Sequence, residues 1–597
     1  MDTNQKKRRC CLRAGCATVI ALPVILMLLA WAVSAFRHRL PDRFVLRVAV
    51  TGPIDERSPD AVGFPVPTPG RPLSLQELLA LLSRAGGDAR VSSVVLDIDG
   101  LAAPPAKLQE LRHAIEGLRK SGKTVTAFLH TPEDKEYLLA VACDSVVVQQ
   151  GSWLLLDGLK AESFYFAEPL SRLGVGVQAS QWKKYKSAVE PFTRSGSSQE
   201  NREEIGALLD ASWDDYLGYV SKRRGIAREA FAAAVDSVAV FSPERALKMK
   251  LVDRVASAWR FGKAYEKRYG VEADDLFVGG SEYLQATGGL ETSGTDGRIA
   301  VVNVAGPIVG SGLEGMADGE GVDTGTLREA LDRALDDREV KAIVLRIDSP
   351  GGDALAASAM LEMLEDARRK KPIVASMSGV AASGGYMVAL GADRIIADPL
   401  TLTGSIGVFA LKPDLGGVLR KTGVTREVLT RGRFADAYTA YKPFEPEAFR
   451  KFDETSGAIY RDFIGKVAAR RKMGIDAVDA VAGGRVWTGR KALEVGLVDR
   501  LGGFDDAVRA AQRLARMDSS KKPALIYLPA PKTFVDYLFG PASSPALPAQ
   551  LSRVVGEYAA RLLPFGREPA LPASVRLLLE SDGPGVFALE PVEVVVK

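Results

Sequence analysis

Two short runs in the C-terminal half of the sequence carry the residue types needed for acyl transfer. Ser349-Pro350-Gly351-Gly352-Asp353 follows the apolar run ending at Ile347-Asp348. A strand leading into Pro-Gly-Gly and then a helix presents backbone N–H groups with no Cβ in the way, an arrangement suited to an oxyanion. Further on, Ala381-Ala382-Ser383-Gly384-Gly385-Tyr386 sets a serine among small residues ahead of an apolar helical stretch. There a substrate could approach Ser383, and the Gly384 N–H could face a developing negative charge. Each run also has an ordinary reading, a strand-to-helix turn for the first and a helix cap for the second. Their occurrence one strand apart is what favours Ser383 as a nucleophile.

A serine nucleophile needs a base. The sequence has three histidines, His38, His113 and His130, and none lies in the half that carries Ser383. His113 falls in the helical stretch Leu108 to Lys120, where packing or surface exposure is the expected role. His130 follows the strand Thr126 to Leu129 and stays open as a base. Lysine is the other available base, and it works only where burial and hydrogen bonds hold it neutral. So few histidines also leave little for a zinc site.

The elements that must position these groups come from a duplication. Val94-Val95-Leu96-Asp97-Ile98-Asp99 matches Ile343-Val344-Leu345-Arg346-Ile347-Asp348 at an offset of 249 residues, and the same offset pairs Tyr137-Leu138-Leu139-Ala140 with Tyr386-Met387-Val388-Ala389. Leu251-Val252-Asp253-Arg254 matches Leu497-Val498-Asp499-Arg500, and Gly52-Pro53-Ile54 matches Gly306-Pro307-Ile308. At these offsets Ser383 faces Asp134, and the first copy has Gly100-Leu101-Ala102-Ala103-Pro104 where the second has its glycine pair. Within each copy, short β-branched runs such as Ala342 to Ile347 and Ile373 to Ser376 alternate with helical stretches such as Ala354 to Lys370. That alternation implies an α/β unit with parallel strands. The expected organisation is a first repeat over 44–280, a Gly/Ser/Thr-rich linker over 281–297, a second repeat over 298–518 and a Pro/Ala-rich extension over 519–597.

Composition agrees with globular folding, since 47% of the 597 residues are hydrophobic and 25% charged. A net charge of +4 offers no polybasic surface for nucleic acid. Only Cys143 of the four cysteines lies in the globular part, so no internal disulfide framework is expected there. Residues 14–36 carry no charge and are long enough as a helix to cross a bilayer core of about 30 Å. Lys6, Lys7, Arg8, Arg9 and Arg13 precede them, so the expectation is a transmembrane anchor with residues 1–13 cytoplasmic and the remainder extracytoplasmic. A cleaved signal peptide ending near Val33-Ser34-Ala35 is the competing reading.

Ser349-Pro350-Gly351-Gly352, Ala382-Ser383-Gly384-Gly385-Tyr386, Thr403-Gly404-Ser405-Ile406-Gly407 and Tyr185-Lys186-Ser187-Ala188-Val189-Glu190-Pro191-Phe192 together resemble the long, duplicated form of the signal peptide peptidase A (protease IV) family. The resemblance implies a tandem duplication of a Clp protease/crotonase-like α/β domain. It also implies a Ser/Lys dyad split between the copies, with Ser383 the nucleophile and Lys186 the general base. Gly384 and Gly352 are then the oxyanion donors, Gly351 a weaker one, and Ser405 an accessory hydroxyl. Lys183 and Lys184 are separated from Lys186 by the family pattern alone. Lys186 aligns with Ala435 in the second copy, so neither copy is complete by itself.

The resemblance further implies hydrolysis of released signal peptides and other short hydrophobic peptides, no metal or organic cofactor, a ring-like homotetramer, and a place in the bacterial inner membrane with the catalytic part outside the cytoplasm. An acyl-CoA enzyme of the crotonase class and a non-catalytic membrane-anchored scaffold are the alternatives.

Overall fold

The computed structural model describes residues 40–57, 72–292, 294, 296–310, 321–530 and, as backbone, 585–589. The β-branched runs of the first copy form a parallel sheet in the order Arg254–Ala256, Ser145–Gln149, Thr124–Leu129, Val91–Ala102, Phe44–Pro53, Phe277–Gly279. Their central residues are buried, as expected for parallel strands covered on both faces. The second copy repeats this order as Arg500–Leu501, Arg394–Ala397, Ile373–Ala382, Val340–Ser349, Arg298–Ala305, Ala524–Leu528. Ala524–Leu528, from the stretch expected to lack a counterpart, therefore takes the place that Phe277–Gly279 has in the first sheet. The Gly/Ser/Thr-rich junction opens with a helix, Gly280–Ala286.

The expected membrane-spanning helix is not upheld. No helix among the described residues is long and apolar enough to cross a membrane, and residues 14–36 lie outside the described residues. The 26-residue helices Gln199–Arg224 and Pro446–Arg471 have the length but carry charged side chains throughout, which a bilayer core disfavours. The architecture is two α/β units. The lipid-bilayer partner, the transmembrane anchoring and the inner-membrane location inferred from that helix fall with it.

Among the described residues, two of the features that join the copies stand out. The first is a small antiparallel sheet in which Gly176–Trp182 of the first copy pairs with Val408–Asp414 of the second, from Trp182 opposite Val408 to Gly176 opposite Asp414. The second is a buried ionic cluster. Arg346, fully buried on the strand Val340–Ser349, meets Glu56 (2.7 Å) and Glu110 of the first copy and the hydroxyls of Ser376 and Ser378 at 2.9 Å. Burial would push the Glu56 carboxyl up, but Arg346 and Lys107 hold it below its ordinary range. Lys107 also pairs with Asp348 at 2.7 Å and donates to the Ile54 carbonyl.

Arg346, Glu56, Glu110 and Lys107 are shielded from water, so their charges depend on one another. Arg346→Met is expected to lower the unfolding free energy by about 3–5 kcal/mol by leaving two carboxylates unpaired, and adding Glu56→Gln with Glu110→Gln should restore part of it. Urea melts of the three proteins check this; an Arg346→Met protein as stable as wild type would count against a cluster that holds the copies together.

Candidate active site

The strand Ile373–Ala382 ends at Ser383, and the helix Gly384–Ala389 begins immediately after it. Ser383 is buried and has φ 55°, ψ −114°, a backbone conformation unusual for a residue with a Cβ. The geometry is held by its N–H, which donates to the Gly404 carbonyl at 2.8 Å, and by its carbonyl, which accepts from the Met387 N–H. A Cβ on Gly385 would lie 2.6 Å from the Ser349 carbonyl oxygen, so the helix can approach the strand Val340–Ser349 only with glycine there. Strained residues of this kind concentrate at functional sites.

Ser405 is beside Ser383 because of strand register. Val380, Ala381 and Ala382 pair with Leu402, Thr403 and Gly404, so the next residue on each strand is a serine. Ser405 also has a positive φ, 48°, and its N–H donates to the Arg485 carbonyl. From Ser405 the chain passes Gly407 into the strand Val408–Asp414, whose antiparallel partner ends at Trp182. The turn after Trp182, with Lys183 at φ 78°, then delivers Lys186 to the serines. Lys186 is completely buried, and its Nζ lies 3.0 Å from Ser383 Oγ, 2.8 Å from Ser405 Oγ and 3.3 Å from the Ser405 carbonyl oxygen.

The neighbouring lysines go elsewhere. Lys183 pairs with Asp479 at 2.6 Å, and Lys184 sits over the Tyr185 ring. His113 is exposed. His130 bonds Asp97 at 2.6 Å on the first sheet, so its ring is engaged within the first copy.

Of the backbone donors read from the sequence, Gly351 gives its N–H to Ser349 Oγ at 3.2 Å. Gly352 is locked by packing: a Cβ there would clash with the Ile308 carbonyl. Gly351–Asp353 forms a short strand against which the helix Gly384–Ala389 packs, so Gly352 and Gly384 lie on neighbouring elements beside Ser383.

Other positioning residues escaped the sequence reading. A Cβ on Gly484, at φ 86°, would run into the Lys186 backbone, and the Gly483 carbonyl accepts from the Tyr185 N–H. The Gly483-Gly484 pair was the available signal. Glu190 accepts from Asn201 and the Ser198 N–H, and Glu204 accepts from the Val486 N–H, so the helix Gln199–Arg224 ties the lysine segment to the second copy.

A family model, Peptidase family S49, matches residues 117–271 and 365–518. The chain belongs to peptidase family S49. The first S49 segment contains Lys186 and the second contains Ser383 and Ser405. The chloroplastic serine protease SPPA of Arabidopsis thaliana is 33% identical over 482 residues, covering 79% of this chain and 70% of the relative. Protease 4 of Haemophilus influenzae is 31% identical over 456 residues, covering 74% and 73%. Protease 4 of Salmonella typhi is 34% identical over 454 residues, covering 74% and 72%. S49 membership makes this chain a serine peptidase of the protease 4 type.

The two copies of the S49 unit differ at the Ser383 position. Asp134, the counterpart of Ser383, is buried and accepts the N–H groups of Asp157 and Gly158 at 3.1 Å, while Glu136 accepts the Leu101 N–H. Burial pushes the Asp134 carboxyl up to about 7. In the unfolded chain it titrates near ~4, so between those values the folded state binds the extra proton and stability falls as pH rises. Wild type should therefore lose more stability between pH 5 and 7 than Asp134→Asn does. Urea melts at the two pH values check this, and equal pH slopes would refute it.

Proposed function

We propose that this peptidase hydrolyses peptide bonds with a Ser383/Lys186 dyad assembled from its two copies. The observation that carries the reading is the Lys186 Nζ within hydrogen-bond distance of both Ser383 Oγ and Ser405 Oγ, in a site closed to water. A lysine serves as base only when neutral, the form that a site shielded from water favours. In the first step Lys186 takes the Ser383 hydroxyl proton as Oγ bonds to the carbonyl carbon of the scissile peptide. The carbonyl oxygen becomes an oxyanion, held by the N–H groups of Gly352 and Gly384.

When the intermediate collapses the C–N bond breaks, and the Lys186 ammonium gives its proton to the departing amine. Water then gives a proton to Lys186 while its oxygen bonds to the acyl carbon, and as the ester C–Oγ bond breaks the Lys186 ammonium returns that proton to Ser383 Oγ, releasing the acid and restoring the dyad. Ser405 keeps the lysine nitrogen aimed at Ser383 through both halves of the cycle. Because the dyad needs one residue from each copy, the duplication and the activity are linked. Membership in a peptidase family and the degenerate first copy weigh against an acyl-CoA enzyme, and covalent labelling separates the peptidase from a non-catalytic scaffold.

Labelling with a fluorophosphonate probe is expected on wild type and absent from Ser383→Ala. Lys186→Ala should lower kcat on a leucine-rich fluorogenic peptide by about 10²–10⁴-fold, the usual worth of a general base, with the fold unchanged by circular dichroism. Label that survives Ser383→Ala, or normal turnover in Lys186→Ala, would overturn the assignment and shift attention to Lys183, Lys184 or His130.

A further inference from the structure

Gly483, Gly484 and Arg485 reach both the base and the accessory hydroxyl through their main chain. The Gly483 carbonyl accepts the Tyr185 N–H at 3.1 Å, the Gly484 N–H donates to the Ile406 carbonyl at 2.9 Å, and the Arg485 carbonyl accepts the Ser405 N–H at 2.8 Å. Tyr185 directly precedes Lys186, so one short segment of the second copy is bonded to the residue before the base and to Ser405 itself.

The Arg485 side chain returns to the same place. Its guanidinium carbon lies 4.8 Å from the centre of the Tyr185 ring and 4.4 Å from that of Trp487. Its Nη1 donates to the Tyr185 hydroxyl at 3.2 Å and pairs with Glu203 at 3.0 Å, while its Nε is shielded from water and makes no hydrogen bond among the described residues. Glu203 is half exposed, so that ion pair contributes little by itself, and the two rings carry the hold. Trp487 is fixed in turn: its indole N–H donates to the Val481 carbonyl, and it stands opposite Thr403, two residues before Ser405. A planar guanidinium stacks on aromatic rings, which an ammonium of the same charge does not.

We propose that Arg485 is a positioning residue for the dyad, its guanidinium holding the Tyr185 ring and so Lys186, and its carbonyl holding Ser405. This rests on the Ser383/Lys186 reading of the site. Arg485 does not touch the reacting atoms and acts through Tyr185 and Ser405. Because the base and the hydroxyl come from different copies, a residue attached to both keeps them at one spacing, 2.8 Å between Lys186 Nζ and Ser405 Oγ. Misplacing a catalytic group costs rate more than substrate affinity.

The test uses the full chain and removes one side of the contact at a time. Arg485→Lys keeps the charge and loses the planar group; Tyr185→Leu keeps the Arg485–Glu203 pair and loses the ring. Each is expected to lower kcat on the leucine-rich fluorogenic peptide about five- to thirty-fold, with KM unchanged within about two-fold. The two together should lose no more than about twice the larger single loss, since they remove one contact. Tyr185→Phe, which keeps the ring, should hold kcat within about two-fold of wild type. Wild-type kcat in Arg485→Lys, a loss that falls on KM instead, multiplying losses in the double variant, or a Tyr185→Phe as slow as Tyr185→Leu would overturn the assignment. Amide exchange reads the same contact without turnover. The N–H groups of Tyr185, Lys186 and Ser187, bonded to the carbonyls of Gly483, Lys183 and Tyr185, should exchange faster in Arg485→Lys than in wild type, and equal exchange would count against Arg485. Absence of fluorophosphonate label on Ser383 in wild type would instead overturn the Ser383/Lys186 reading, and the exchange measurement would still decide the role of Arg485.

Discussion

The active site depends on antiparallel pairing between a strand of the first copy, Gly176–Trp182, and a strand of the second, Val408–Asp414. Main-chain hydrogen bonds along that pair set how far the chain after Trp182 travels before it turns, and so where Lys186 ends. At the same end of the pair, where Val408 stands opposite Trp182, the second strand has just left Ser405. The ladder thus fixes the distance between the Lys186 amine and the Ser405 hydroxyl, more than two hundred positions apart in sequence. A shift of one residue would place the lysine on the wrong face, because side chains alternate across a strand.

That ladder holds its register only if the two α/β units are themselves held together. Arg346, Glu56 and Glu110 contribute to this from the opposite side of the second sheet, with Lys107 and Asp348 alongside. Charges so deeply buried are costly to separate once paired. Close packing completes the arrangement: Gly352 under Ile308, Gly385 against Ser349 and Gly484 against Lys186 each allow a backbone approach that a Cβ would block. The site is built on strand ends and tight turns, which suits chemistry that needs fixed distances more than motion.

The two copies share one fold and have divided its tasks. In the second, Ser383 stands among small residues, Ala381, Ala382, Gly384 and Gly385. In the first, the Ser383 position is a carboxylate: Asp134 accepts the N–H groups of Asp157 and Gly158, and Glu136 nearby accepts that of Leu101. The first copy therefore supplies structure, a lysine and a wall of charge partners. A similar division appears at Arg346, which faces Asp97 in the internal alignment: a cation on one strand and an anion on its counterpart, each with its own partners.

The sequence alone determined the duplication, the α/β character and the candidate nucleophile, because these are written in local patterns. β-branched runs mark the strands, and a serine among glycines marks a place where backbone and substrate can meet. It also restricted the base, since no histidine lies in the copy that carries Ser383. What it could not separate by spacing was Lys186 from Lys183 and Lys184, and it missed Gly484 and the ionic cluster around Arg346. Tertiary structure is what brings Lys186, with Lys183 and Lys184 turned elsewhere, beside Ser383 and Ser405, and what places Gly484 and the ionic cluster. The physical reason is that strand pairing is made by main-chain groups common to every residue. The register of Trp182 on Val408, or of Ala588 on Gly352, leaves little trace in side-chain identity and exists only once distant segments have come together.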